Sequence, residues 1–293
     1  MGYNVNGFEG FKNLSDYVKE NNDVILRDIV FGGEYGDTVP LMQKELGVKG
    51  TARIHPTTIS AVLQNMNEKG MECGFTPEGD LNIAEVDIVT KQYKVNTQFC
   101  PEKLIGKFAE YKVRVGANPD ALPFEAEIVE GLVKDINRQI EEGVWAQLGE
   151  AGTNNFSYED AGATTAYDKV MATYMRMNET VLEDGIIFVS PTLFREYVKD
   201  LVDKNLYHYN PADGALEEIF IPGAGVKVRK ARGLKGNTTY GTSPKNMIYA
   251  TDFMGNAEEV KVWFSDDDDV YKVKVRFNYG ATFIFPELVA SGR

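Results

Sequence analysis

NMIYATDFMGNAEEVKVWFSDDDDVYKVKVRFNYGATFIFPELVAS, Asn246 to Ser291, reads as a strand, a turn, a long hairpin and a closing strand. Val260, Val262 and Phe264 alternate with Glu259, Lys261 and Trp263, the period-two signature of a half-buried strand. After the acidic turn Ser265 to Asp269, Val273, Val275 and Phe277 alternate with Lys272, Lys274 and Arg276. One face of this hairpin is apolar and the other basic. It carries no candidate nucleophile, metal cluster or phosphate loop, so its chemistry is that of a building element.

Working upstream, FKNLSDYVKE and VPLMQKELG are short amphipathic pieces broken by Gly32-Gly33, Gly36 and Gly47. Their apolar residues come in twos and threes, too few to bury a face alone, and predict an arm that packs on a partner or stays poorly ordered. From Thr57 to about Gly106 the chain reads as extended. Turn residues at Pro77-Glu78-Gly79-Asp80 precede alternating Ile83, Val86, Ile88, Val89, Tyr93 and Val95. A protruding loop so rich in Ile and Val invites edge pairing unless another chain covers it.

LPFEAEIVEGLVKDINRQIEEGVWAQLGE, Leu122 to Glu150, is the strongest helix signal. Pro123 suits the first helical position, and Glu125 and Glu127 suit the positive end of the dipole. Ile128, Leu132, Ile136, Ile140, Val144 and Leu148 form an i+4 ladder joined by Val129, Val133 and Trp145. At 1.5 Å per residue it spans roughly 40 Å. Gly131 and Gly143 weaken it, or let another backbone approach closely. A break rich in Gly, Thr and Asn, GEAGTNNFSYEDAGATT, precedes helix and strand segments that alternate as a compact α+β unit.

The 293 residues carry 31 Lys and Arg against 44 Asp and Glu, a net charge of −13. That balance argues against a nucleic-acid reader, which needs an excess of basic charge on some face. It is compatible with a wall that encloses DNA without gripping it. No apolar run reaches the ~18 residues of a membrane span, and MGYNVNGFEG lacks the regions of a secretory signal; a cytoplasmic protein is expected. Cys73 and Cys100 read as reduced, partly buried thiols, with a disulfide open to a chain that leaves the cell. With only His55 and His208 at unrelated spacings, neither a zinc site nor any other cofactor is expected.

Other chemical readings yield to simpler ones. Asp266 to Asp269 lacks the glycine and distal glutamate of a calcium loop and sits where a hairpin must turn. IPGAGVKV lacks the Lys-Ser or Lys-Thr of a phosphate loop and reads as a glycine turn. His55 and His208 have no nucleophile elbow near them. Tyr207 and Tyr209 could stack on a sugar ring, although a structured loop explains them as well.

The parts in this order resemble the major capsid protein of tailed phages, with the fold named for phage Hong Kong 97, and look most like capsid proteins of phages infecting gut Bacteroidetes. The resemblance covers most of the chain and rests on element order. It implies an N-terminal arm (1–55), an extended β-loop region (56–110), a peripheral domain on a long spine helix (111–160), an axial domain (161–255) and return strands of the peripheral domain (256–293). It implies a non-enzymatic subunit that assembles with itself into the hexamers and pentamers of an icosahedral head enclosing double-stranded DNA. Scaffolding and portal proteins are the implied partners, the host cytoplasm the place of assembly and the virion the destination, with no membrane. Ile83, Val86, Ile88 and Val95 are expected at the loop contact, and Ile136 and Trp145 in the spine packing. Lys272, Lys274 and Arg276 read either as the solvent face of a strand or as a contact with a neighbour's acidic patch. Some family members join subunits through a Lys–Asn bond; Lys91 or Lys94 with Asn278 have the residue types for it. Two other readings stand beside this one: a shell of the same fold around a cargo enzyme, and a hydrolase or carbohydrate-binding protein with a site in 165–255 near Tyr207 and His208.

Overall fold

The computed structural model describes residues 9–33, 36–63, 78–100, 124–151, 155–206, 217–252 and 259–293; its side chains are described from 15, 128 and 260 onward in the first, fourth and last of these stretches. The alternation at 259–283 becomes the centre of the first of two sheets. Strand β14 (Val270–Phe283) pairs antiparallel with β13 (Glu259–Ser265) along one edge and with β6 (Lys91–Phe99) along the other. Its last four residues pair with β12 (Met247–Thr251), which takes β1 (Gln43–Leu46) as a parallel neighbour. Val260, Val262, Val273, Val275 and Phe277 all turn inward and are buried.

The long helix lies across that inner face, and is labelled α3 (Phe124–Ala151) after two shorter helices that precede it. Val133, Ile136, Ile140, Val144 and Leu148 are buried along one stripe, as three- and four-residue spacing requires. Each such burial is worth about 1.5–3 kcal/mol, so the stripe outweighs the ~1 kcal/mol that each glycine costs a helix interior. Gly143 sits where the ring of Tyr279 comes up from β14, and Gly131 faces open space. The close approach that glycine permits is therefore made by a side chain, at one of the two positions.

Helices α1 (Glu9–Glu20) and α2 (Asn22–Phe31) lie in the segment expected to pack on a partner or stay poorly ordered, and they pack instead within the chain. Val18, Ile25, Leu26, Ile29 and Val30 join the core formed by α3 and the first sheet. Helix α2 ends on Gly32, whose φ of 82° is the left-handed cap that glycine adopts at least cost. Asn137 of α3 donates to the carbonyls of Asp28 and Gly32 at 3.0 and 3.4 Å and pins that end. Short helices suffice because a wide face already waits for them.

A narrow antiparallel ribbon leaves this body. Strand β2 (Thr51–Ile54) pairs with β5 (Val86–Val89), and beyond a break β3 (Thr57–Ala61) pairs with β4 (Gly79–Ile83). The ribbon thus begins inside the segment expected to be arm. Strand β6, expected in the loop, lies instead along β14 in the sheet.

The second sheet runs β7-β15-β11-β8-β10-β9, comprising β7 (Asn155–Phe156), β8 (Ile186–Val189), β9 (Glu218–Phe220), β10 (Lys227–Lys230), β11 (Thr239–Thr242) and β15 (Ala290–Gly292). Helices α4 (Ala166–Arg176) and α5 (Pro191–Asp203) cover it. Thr165 and Asp168 form a capping box on α4, and Ser190 caps α5 ahead of Pro191. Ile187, Val189, Val170, Leu193 and Tyr197 close this second core. Two short crossovers join the sheets, β11 to β12 and β14 to β15. The buried side chain of Asn246 ties them, donating to the Phe285 carbonyl at 2.9 Å and accepting from its N–H at 2.7 Å.

Candidate assembly surfaces

The ribbon β3–β4 has no inner side. Every residue of both strands is exposed, Ile83 at 56 %, and Ile59, Val62, Leu63 and Leu81 stand in solvent with it. A two-stranded ribbon cannot bury either face by itself, so an apolar one needs cover. Nearer the body, Arg53 donates to Asp87 at 2.8 Å and to Glu85 at 2.9 Å, which fastens β2 to the far strand. Being exposed, these pairs add little stability; they fix register.

The four loop residues named from the sequence divide. Ile83 projects from the ribbon and Val86 is half-buried at the base of β5. Ile88, expected at a contact with another subunit, is fully enclosed, packed with Val48, Ile248 and Ala250. The reason is a close approach: the Val89 carbonyl and Thr90 lie over Gly280 of β14, where a side chain would collide. Val95, on β6, packs partly against the main core. Ile136 and Trp145 are buried in α3; the Trp145 ring lies 5.2 Å from both Phe188 and Tyr240. Lys272, Lys274 and Arg276 point to the outer face of the first sheet, and Lys272 meets the Asp268 carboxylate.

Lys91, Lys94 and Asn278 sit on adjacent strands of one chain, and Asn278 is buried, out of reach of a neighbour's lysine. The expectation of a Lys–Asn bond between subunits fails on these residues. Asp266 to Asp269 form a hairpin turn, with Asp269 at φ 50°. Gly223, at φ 80°, turns β9 into β10. His55 is exposed between β2 and β3. Cys100 is a free thiol; Cys73, Tyr207, His208 and Tyr209 lie outside the described residues. Among the described residues no group of three or more His, Cys, Asp or Glu could hold a metal ion, and no helix is long and apolar enough to cross a membrane.

A polar cluster that the sequence did not announce locks the N-terminal segment to α3 and to the second sheet. Glu141, 2 % exposed, accepts from the N–H groups of Thr38 and Val39 at 2.9 and 3.1 Å. Trp145 donates to the Thr38 hydroxyl at 2.9 Å. Beside them Asp37 takes the Arg232 guanidinium and backbone N–H, each at 3.1 Å. Burial raises the carboxyl pKa of both Glu141 and Asp37, and Asp37 itself adds to the rise at Glu141. These contacts are internal fastenings, and Glu141 and Arg232 also edge an open pocket of about 280 Å³ lined by Gly131, Lys134, Asp135 and Arg138.

Comparison with known proteins finds several solved structures of similar fold. The satellite phage P4 procapsid that includes size determination (Sid) protein matches at TM-score 0.60 and 9% identity, over 98% of this chain and 97% of that one. The mature capsid of bacteriophage PhiM1 matches at TM-score 0.53 and 13% identity, over 86% and 85%. A virus-like particle from Pyrococcus furiosus matches at 0.53 and 11%, over 97% and 100%. Such low identities show the fold alone, the one named for phage Hong Kong 97. A search of curated proteins finds no match. The family model described as phage capsid protein (Phage_capsid_4) matches residues 117–290, which take in the long helix, the second sheet and the closing hairpin. With more than half its length matched to that model, the chain belongs to the phage capsid protein family.

Proposed function

We propose that this chain is the structural subunit of a phage head, closing with copies of itself into an icosahedral shell of hexamers and pentamers around double-stranded DNA. The observation that carries the reading is the bare apolar ribbon β3–β4, which costs an isolated subunit solubility and makes sense where another subunit covers it. Ile83 and Val86 are contact residues in this reading, with the exposed Ile59 and Leu81 added, while Val95 belongs to the first sheet. A role in architecture fits a body whose buried polar groups fasten elements to one another. The net charge of −13 suits a wall that does not grip packed DNA. Scaffolding and portal proteins complete the proposed partners, with assembly in the host cytoplasm and the virion as destination.

The match to a virus-like particle favours one second reading, a shell of the same fold around a protein cargo. Negative-stain electron microscopy of the purified protein tests the first claim. Closed particles, rings or sheets tens of nanometres across are expected, and a monomer that persists at high concentration would overturn it. Nucleic-acid absorbance against co-purifying protein then separates the two contents.

A further inference from the structure

The hairpin β13–β14 carries opposite charges at its two ends. On its outer face, strand register places Lys272 between Gln98 and Trp263, Lys274 between Asn96 and Lys261, and Arg276 between Lys94 and Glu259. Lys274 therefore lies directly across from Lys261, and Arg276 across from Lys94. At the tip stand Asp266, Asp267, Asp268 and Asp269. Asp268 accepts from Lys272, and that hydrogen bond holds its carboxyl below the ordinary range.

The tip does not neutralise the rest of the face within one copy. At ~3.4 Å per residue, Lys274 and Arg276 lie roughly 17 and 24 Å from the turn, well beyond the ~8 Å Debye length of physiological salt. A groove of about 430 Å³ between α1 and β13, edged by Lys19, Lys261 and the 42 % exposed Trp263, opens beside the face. Apart from Lys94, Lys261, Lys272, Lys274 and Arg276, the other 26 Lys and Arg of the chain stand against 44 Asp and Glu, so the basic face is local.

We propose that the acidic turn Asp266–Asp269 of one copy docks on the basic face Lys94, Lys261, Lys274 and Arg276 of the next. The contact rests on the shell reading and names a partner surface for it. The surfaces it joins are different, so it is head-to-tail, the kind of contact that propagates into rings or arrays. An acidic patch of the same chain suits the face better than duplex DNA, because a chain of net charge −13 repels DNA overall.

The test compares wild type with K274E/R276E, with D266K/D267K and with all four changes together, by light scattering and electron microscopy at low salt. Each pair of changes is expected to leave the thermal midpoint near that of wild type and to slow assembly at least tenfold. The fourfold variant, with the attraction inverted, is expected to recover. Wild-type assembly by either pair, or no recovery in a folded fourfold variant, would overturn the contact. A milder variant, K274Q/R276Q, guards against misfolding and must also assemble more slowly. If instead it assembles normally but loses salt-sensitive binding to a 30-bp duplex, the face is a DNA surface and the proposal fails. A wild type that never forms particles refutes the shell reading itself, and the contact with it.

Discussion

Gly143→Ala probes the packing of α3 on the first sheet. A methyl group built at Gly143 overlaps the Tyr279 hydroxyl and lies 3.2 Å from Cζ. The ring cannot simply swing aside. Tyr279 is buried and stacked against Tyr93 at 4.5 Å, with Tyr249 at 5.9 Å. Overpacking of this kind costs about 1–3 kcal/mol, and the locked ring puts the cost in the upper half of that range. Replacing a helical glycine by alanine returns up to ~1 kcal/mol, so a net loss of about 1–2 kcal/mol is expected. Gly131→Ala is the control. It lies in the same helix with nothing in reach of the new methyl, and should gain up to ~1 kcal/mol. Urea unfolding of the unassembled subunit reads both as opposite shifts in midpoint at constant slope. Adding Tyr279→Phe to Gly143→Ala removes the overlapping hydroxyl and should recover part of the loss. If Gly143→Ala proves as stable as Gly131→Ala, the helix does not sit on Tyr279 as described.

Ile88→Asp should destabilise the subunit by more than about 3 kcal/mol, as a charge placed in a closed apolar cluster does, whereas Ile83→Asp should leave the melting temperature nearly unchanged and block particle formation; the reverse pattern would exchange their roles. Glu141 has a folded pKa raised above its ordinary 4.5, so its contribution to stability is full below the unfolded value and is lost as pH rises through the folded one. Glu141→Gln should therefore flatten the gain in urea midpoint on acidification from pH 7.5 to 5, leaving the same-signed contribution of Asp37; an unchanged difference between the two pH values would show that Glu141 does not titrate there. Asn246→Ala strands the Phe285 N–H and carbonyl and should cost about 2–4 kcal/mol by thermal unfolding, while a cost under ~0.5 kcal/mol would mean that the crossovers hold each other without it.

What was legible in the sequence follows from periodicity. The hairpin at 259–283 and the ladder of α3 declare which side turns inward, because one apolar face set against one polar face has a single solution. Helix α5 announces its start through Ser190 and Pro191. The fate of Ile83 and Ile88 could not be read this way. Both sit in one alternating run, and only the close approach at Gly280 decides that β5 is roofed by the sheet while β4 projects. The piece FKNLSDYVKE misled for a related reason: its apolar residues are few, and the face that receives Val18 is built by α3 and the first sheet, far along the chain. Glu141 lies among other acids in the sequence of α3 and has no local signal of its burial. Nothing local marks the turn at Thr38 that it caps.

The order of the strands along the chain gives the two crossovers a consequence in time. Strand β14 is the middle of the first sheet, and β15 sits inside the second between β7 and β11, yet both follow every strand they bind. A nascent chain that has reached residue 260 lacks the middle strand of the first sheet and must keep that core open, while the second core, drawn from residues 166–228 and Ala290, lacks only its last member. Pairings of such long sequence separation form slowly. The first core thus closes late, around a strand that arrives after the adhesive ribbon at residues 57–83 has been made.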